Sequence, residues 1–197
     1  EAHARKDFDG GGKSNMTAKN VISECLLKMG LADFSHNETF SEGEQELINS
    51  LLGAMNIAYR EIICEYLPLT TEENVVFSDG QLMISKLGKS ILYPIRLKRG
   101  DETVAFKTYP NRLTADFSGE AILEYAYTPP TPISINSSIN DVRLTQSALS
   151  DGTLAEYYFA NKVFDLAKSF DTSFRSKLGL MKYKGRSLRL KERRWRA

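Results

Sequence analysis

The stretch TFSEGEQELINSLLGAMNIAYREIICEYL, residues 39–67, decides the fold. Leu47, Ile48, Leu51, Leu52, Met55, Ala58, Tyr59, Ile62, Ile63 and Tyr66 recur at three- and four-residue spacing, the period of a helix with one broad apolar face. Ser41 and Glu44 stand at the spacing of a capping box, in which each side chain satisfies a backbone N–H of the first turn. Pro68 lacks an N–H and clashes with the turn before it, so it ends the helix. Glu42, Glu44, Glu46, Glu61 and Glu65 place acid on the remaining surface. A helix of this kind is not stable alone in water, so its apolar face needs partners.

Upstream, Asn15 or Thr17 can start a first helix running to about Met29. Val21, Ile22, Cys25, Leu26 and Met29 form its apolar stripe, and Gly30 is a natural C-terminal cap. Residues 1–15 are polar and contain Gly10, Gly11 and Gly12, which reads as a flexible arm. They have no apolar centre and so do not read as a signal peptide.

Downstream of Pro68 the period changes from helical to alternating. Val75-Val76-Phe77, a turn at Ser78-Asp79-Gly80 and Leu82-Met83-Ile84 read as a strand, an Asp-Gly turn and a second strand. Further short strands are expected near residues 91–97, 103–109, 113–117 and 121–127, with Pro94 marking an edge or a bulge. Strands so short and so regularly spaced make a small antiparallel sheet or barrel. Thr128-Pro129-Pro130-Thr131-Pro132 is a stiff exit, after which Ile133, Ile135 and Ile139 alternate loosely with polar residues. Ser150 or Asp151 then caps a third helix to about Ser169, its apolar face formed by Leu154, Tyr157, Tyr158, Ala160, Val163, Phe164, Leu166 and Ala167. Asp171 or Thr172 caps a fourth, to about Tyr183, carrying Phe174, Leu178 and Met181.

These readings give an α+β fold: a helical bundle built from N- and C-terminal helices, with a small antiparallel β-sheet or barrel inserted between them. The expected parts are an arm at 1–15, a bundle body from 16–68 and 133–185, a β module at 69–132, and a basic tail at 186–197. The length of 197 residues, with 42% hydrophobic and 26% charged residues, suits one globular unit. No apolar run is long enough to span a membrane.

Chemistry is sparse. Gly10-Gly11-Gly12-Lys13-Ser14 lacks the spacing and the preceding strand of a phosphate-binding loop. His3 and His36 lie far from Cys25 and Cys64 and form no metal-ligand pattern. No nucleophile elbow or zinc helix is present. The chain is therefore expected not to be an enzyme and to carry no cofactor. Cys25 and Cys64 are expected to be buried, reduced thiols in the bundle.

The net charge of +1 hides an asymmetry. From Arg175 onward, ten Lys or Arg face the single Glu192, a net +9, which leaves −8 for residues 1–174. The bland reading of the tail is a solvated end. The functional one is a partner-binding anchor formed by Arg186, Leu188, Arg189, Leu190, Lys191, Arg193, Arg194, Trp195 and Arg196. Residues 187–191 alternate polar and apolar as an added strand does, and Trp and Arg are the residues enriched at binding hot spots.

The order of two helices, a β insertion ending in AILEYAYTPPTP (121–132) and a helix beginning LSDGTLAEYYFANK (149–162) resembles the head-to-tail connector (adaptor, or head-completion) proteins of tailed bacteriophages. The resemblance is one of layout and covers about residues 16–197. It implies a structural virion protein of the neck, assembled in the bacterial cytoplasm. It further implies a homo-oligomeric ring of twelve copies beneath the portal protein, and a platform on which tail or neck proteins dock. Double-stranded DNA would pass through the ring without sequence-specific binding, and no membrane would be involved. Two other classes stay open: a nucleic-acid-binding module using the basic tail, and a virion-borne hydrolase.

Overall fold

The structure, a computed structural model, describes residues 16–31, 41–129, 133–139 and 143–184. Helix α1 (Ala18–Lys28) begins at Thr17, whose side chain accepts from the Asn20 N–H. It ends at Gly30, whose φ of 75° lets Leu31 N–H reach the Leu26 carbonyl and its own N–H reach that of Leu27, the Schellman closure that glycine favours. Before it, a two-residue strand β1 (Met16–Thr17) pairs antiparallel with β9 (Ser138–Ile139). Helix α2 (Glu42–Glu61) carries the full Ser41–Glu44 capping box. Its last turn, Ile62–Tyr66, widens to a π-helix and stops at Leu67, one residue before Pro68.

The β module starts at once. Strand β2 (Leu69–Phe77) pairs with β8 (Gly119–Tyr127) through nine unbroken antiparallel pairs. It is therefore longer than the Val75-Val76-Phe77 core of apolar residues expected, because in its first six residues, LTTEEN, only the two threonines favour a strand and the apolar alternation is missing. The four-stranded sheet runs β2-β8-β4-β5, with β4 at Ile91–Arg99 and β5 at Glu102–Val104. The register of β4 on β8 slips on both sides of Pro94, and β5 covers only Leu97–Arg99, so Pro94 sits at a bulge on an open edge. A second, three-stranded sheet runs β3-β7-β6, from Gln81–Met83, Arg112–Ala115 and Phe106–Thr108. Residues 103–109, expected as one strand, break at Ala105, and the two halves, β5 and β6, serve different sheets. The Asp79-Gly80 turn has φ of 50° and 72°, as the hairpin turn requires. At Gly80 any Cβ would lie 2.7 Å from the Ala115 carbonyl oxygen. Val75, Phe77, Leu82, Leu97, Leu113, Ala121, Leu123 and Tyr125 form one core shared by both sheets.

The return to the helices is clamped. The Asn56 side chain of α2 donates to the Ile133 carbonyl and accepts from the Ile133 N–H. Arg143 donates to the Pro68 carbonyl at 3.1 Å. Helix α3 (Gln146–Ala160) then begins at Thr145, whose hydroxyl accepts from the Ala148 N–H. Ser150 and Asp151 are thus not caps, as expected, but buried residues of the helix interior. The expected extent to Ser169 is also corrected. Helix α3 stops at Ala160 and α4 runs from Phe164 to Lys184, so Asp171 and Thr172 lie inside α4 rather than capping it.

Every residue from Ala148 to Ala155 is buried, so α3 is the central helix, enclosed on all sides by α1, α2 and α4. Its small residues permit this. At Gly152 an added Cβ would meet the Phe174 ring of α4 at 2.9 Å and the Ala58 Cβ of α2 at 3.1 Å. Leu26, Leu51, Met55, Ile62, Ile63, Leu149, Phe174 and Leu178 complete this second core. The chain is α+β, with N- and C-terminal helices packed together and small antiparallel sheets between them in the chain. Among the described residues no helix is long and apolar enough to cross a membrane.

Candidate assembly interface

The tail residues singled out by sequence, Arg186, Leu188, Arg189, Leu190, Lys191, Arg193, Arg194, Trp195 and Arg196, lie outside the described residues. So do His3 and His36. Two features of the bundle bear on what the chain does.

The first is a buried charge node. The Asp151 carboxylate, on the central helix and 4% exposed, accepts from Lys28 of α1 at 2.6 Å, from the Ser173 hydroxyl of α4 at 2.6 Å and from Lys177 of α4. Lys28 also meets Glu24 at 2.8 Å and the Ser150 hydroxyl at 2.6 Å, and Lys177 meets Ser147 at 2.7 Å. Burial alone would push the Asp151 carboxyl up. The hydrogen bonds from Lys177, Lys28 and Ser173 outweigh it and hold the group below its ordinary range. The same opposition raises Lys28 and lowers Glu24. The node joins three helices and keeps Asp151 ionised, which removes it as a general acid. Two of its serine hydroxyls donate to carboxylates, Ser150 to Glu24 and Ser173 to Asp151.

Next to the node, Cys25 is fully buried and its thiol lies 3.6 Å from the Ser150 carbonyl. Burial pushes that thiol up to about 12, so it stays protonated and inert at neutral pH. Cys64 is a free thiol as well, but it is half-buried, contrary to the expectation that both are enclosed. It follows the buried Ile62 and Ile63 in the π turn but lies outside the apolar stripe of the helix. Among the described residues no three His, Cys, Asp or Glu side chains could hold a metal ion.

The second feature is the corner between α3 and α4. The chain turns through Asn161, Lys162 and Val163, with Lys162 at a φ of 62°. Lys162 N–H bonds to the Phe159 carbonyl and Val163 N–H to that of Tyr158. This is the closure seen at Gly30, here built on a residue with a Cβ and therefore mildly strained. Around it Phe159 (63%), Val163 (41%), Phe164 (59%) and Leu166 (43%) are exposed. Four of the thirteen large apolar side chains exposed among the described residues thus fall within eight residues of chain. Phe159 and Phe164 meet edge to face, with centroids 5.8 Å apart. Sequence periodicity had assigned Val163, Phe164 and Leu166 to a buried face. The break at residues 161–163 changes the helical phase and turns them outward.

Acid borders this corner. Glu156 is one turn from Phe159, and Asp165 adjoins Phe164. Burial, together with repulsion from Glu65, Glu156 and Asp171, raises Glu61 against the pull of Arg175. Arg175 is shared among Asp171 at 3.0 Å, Glu61 at 3.6 Å and the Tyr66 hydroxyl at 3.0 Å. Lys162, in the turn, and Lys168, on α4, are the nearby cations. An apolar centre with a charged rim is the layout of a protein-binding patch. No protein-family model and no curated protein sequence matches this chain.

Proposed function

We propose that this chain is a structural neck protein of a tailed-phage virion: a head-to-tail connector whose copies form a ring beneath the portal and on which the tail docks. The observation that carries the reading is the exposed aromatic corner of Phe159, Val163, Phe164 and Leu166, which a single copy leaves uncovered. It stands on a bundle whose buried polar groups are engaged in holding helices together. The resemblance in element order supports the same assignment. Residues 1–174 carry −8, which favours a body past which DNA slides without adhering, like charge facing like. The basic tail is the anchor, to an acidic surface of a neighbouring copy or of the portal.

Ending the chain after Gly185 is expected to leave the folded bundle, since every core residue among those described, through Leu178, is retained. Circular dichroism and melting should be unchanged. Joining of portal-containing particles should be lost. Truncating one buried Trp or Arg anchor weakens a contact by about 2 kcal/mol, roughly thirtyfold, and a ring repeats the loss at every copy. Normal joining by the shortened chain makes the tail a solvated end. Unfolding makes it part of the core.

A further inference from the structure

The exposed corner and the tail match one another in chemistry. The corner is apolar at its centre, with Glu156 and Asp165 close to its two phenylalanines in the chain, Lys162 in the turn and Lys168 on α4, while Glu61, Glu65 and Asp171 outnumber Arg175 further along. Residues 185–197 hold three large apolar side chains, Leu188, Leu190 and Trp195, among six cations and one acid, a net +5. Residues 16–184 carry −4, so the segment with opposite sign to the body is the one that brings apolar side chains. We infer that the C-terminal segment 185–197 of one copy docks on the α3–α4 corner of the next, with its leucines and Trp195 covering Phe159 and Phe164.

Reach decides that the occupant comes from a second copy. Helix α4 has 21 residues, so its C-terminal end stands about 30 Å from the corner at its N-terminal end. An extended chain covers at most about 3.5 Å per residue. Folding back along its own α4, a tail spends about nine residues on the distance alone. Trp195 then just reaches the corner, while Leu188 and Leu190 fall short by about half the helix or a third of it. Only a tail arriving from another molecule places all three apolar side chains on the patch. The contact is heterologous, a tail on one copy and a corner on the other, and such contacts close into rings when the rotation between copies allows it. The inference rests on the ring assembly proposed above and names the surface by which neighbours are joined.

The chain's single tryptophan is Trp195, so its fluorescence reports the docking of this segment alone. In the full-length protein, raising the concentration should shift Trp195 emission to the blue as the ring desolvates on a neighbour, and high salt should oppose the shift. Phe159→Ala with Phe164→Ala should raise the midpoint concentration roughly thirtyfold or more. Both side chains are largely exposed, so the melting curve should be unmoved. Leu188→Asp with Leu190→Asp, altered on the other partner, should abolish the shift. Mixing the Phe159→Ala, Phe164→Ala protein with a Trp195→Phe protein should restore it, since the first supplies a reporting tail and the second an intact corner.

A shift independent of concentration would place the tail on its own copy and overturn the inference. A concentration-dependent shift that survives the phenylalanine changes would place it on another surface, with the same consequence. So would the absence of any shift in the concentrated protein. The two proposals fail separately: closed rings without a Trp195 shift leave the ring and remove the docking, while a transferable shift without closed rings does the reverse.

Discussion

Asp151→Ala is expected to lower the stability of the fold by about 3 kcal/mol, measured by urea denaturation at neutral pH. The carboxylate is enclosed, and three donors on two other helices converge on it. Removing it leaves Lys28 and Lys177 with a charge in a partly dry site and Ser173 without its acceptor. Removing one member of a buried pair typically costs 3–5 kcal/mol, about the range to be expected for a fully enclosed partner. Here both lysines keep some exposure, 25% and 32%, and Lys28 retains Glu24, so the loss falls at the lower end. Against a total stability of about 5–15 kcal/mol this is a large share. Asp151→Asn should lose less, because the amide oxygen still accepts from one lysine or from Ser173.

The pH dependence follows from the direction of the shifts. The Asp151 carboxyl is held below its ordinary value in the folded chain, as is that of Glu24. Such groups stabilise the fold fully above the unfolded value, near pH 4, and lose that contribution as the pH falls through the depressed folded value. Lys28, shifted upward, contributes fully below its unfolded value near pH 10 and loses its share only above that. The gap between wild type and Asp151→Ala should therefore be level between about pH 5 and 8 and narrow below about pH 4. A gap that stays level into acid would mean that the carboxylate charge contributes nothing.

Gly152→Val is expected to destabilise by about 3 kcal/mol or more, and Gly152→Ala by about 1 kcal/mol, despite the better helix propensity of both. Alanine in a helix interior gains about 1 kcal/mol over glycine. Its methyl group, however, would stand 2.9 Å from the Phe174 ring and 3.1 Å from the Ala58 methyl. Phe174 is 2% exposed, so its ring moves only by disturbing the side chains packed around it. Overpacking of that degree costs about 1–3 kcal/mol, more than propensity returns, and the second and third carbons of valine add to it. Phe174→Leu should partly rescue Gly152→Ala, a coupling that thermal melts of the two single variants and the double variant would measure. A Gly152→Ala protein more stable than wild type would show that the three helices can separate at this crossing without loss.

Features that depend on neighbouring residues were legible in the sequence. The Ser41–Glu44 box, the Gly30 cap, the Asp79-Gly80 turn and the bulge at Pro94 each rest on one or two adjacent side chains, and each formed as read. What misled was chemistry whose partner is remote. Ser150 and Asp151 have the right composition for a helix cap, and nothing nearby shows that Asp151 will be met by a lysine 123 residues upstream. Strand β2 was half hidden because Glu72, Glu73 and Asn74 pair with β8 through the backbone and owe little to their own propensity.

The corner was hidden for a different reason. Val163, Phe164 and Leu166 continue an apolar pattern, so periodicity extended α3 through the turn. A pattern of that kind cannot distinguish side chains that are buried from side chains that a helix break turns outward. The tail, in contrast, was visible from charge alone, because six cations against one acid need no structure to count.

Electron microscopy of the purified full-length protein incubated with portal-containing particles tests the central claim most directly. The connector reading predicts rings with an open central channel, seated on the portal vertex and absent from the rest of the particle surface. Bare portal vertices, with the protein remaining as single copies, would contradict it.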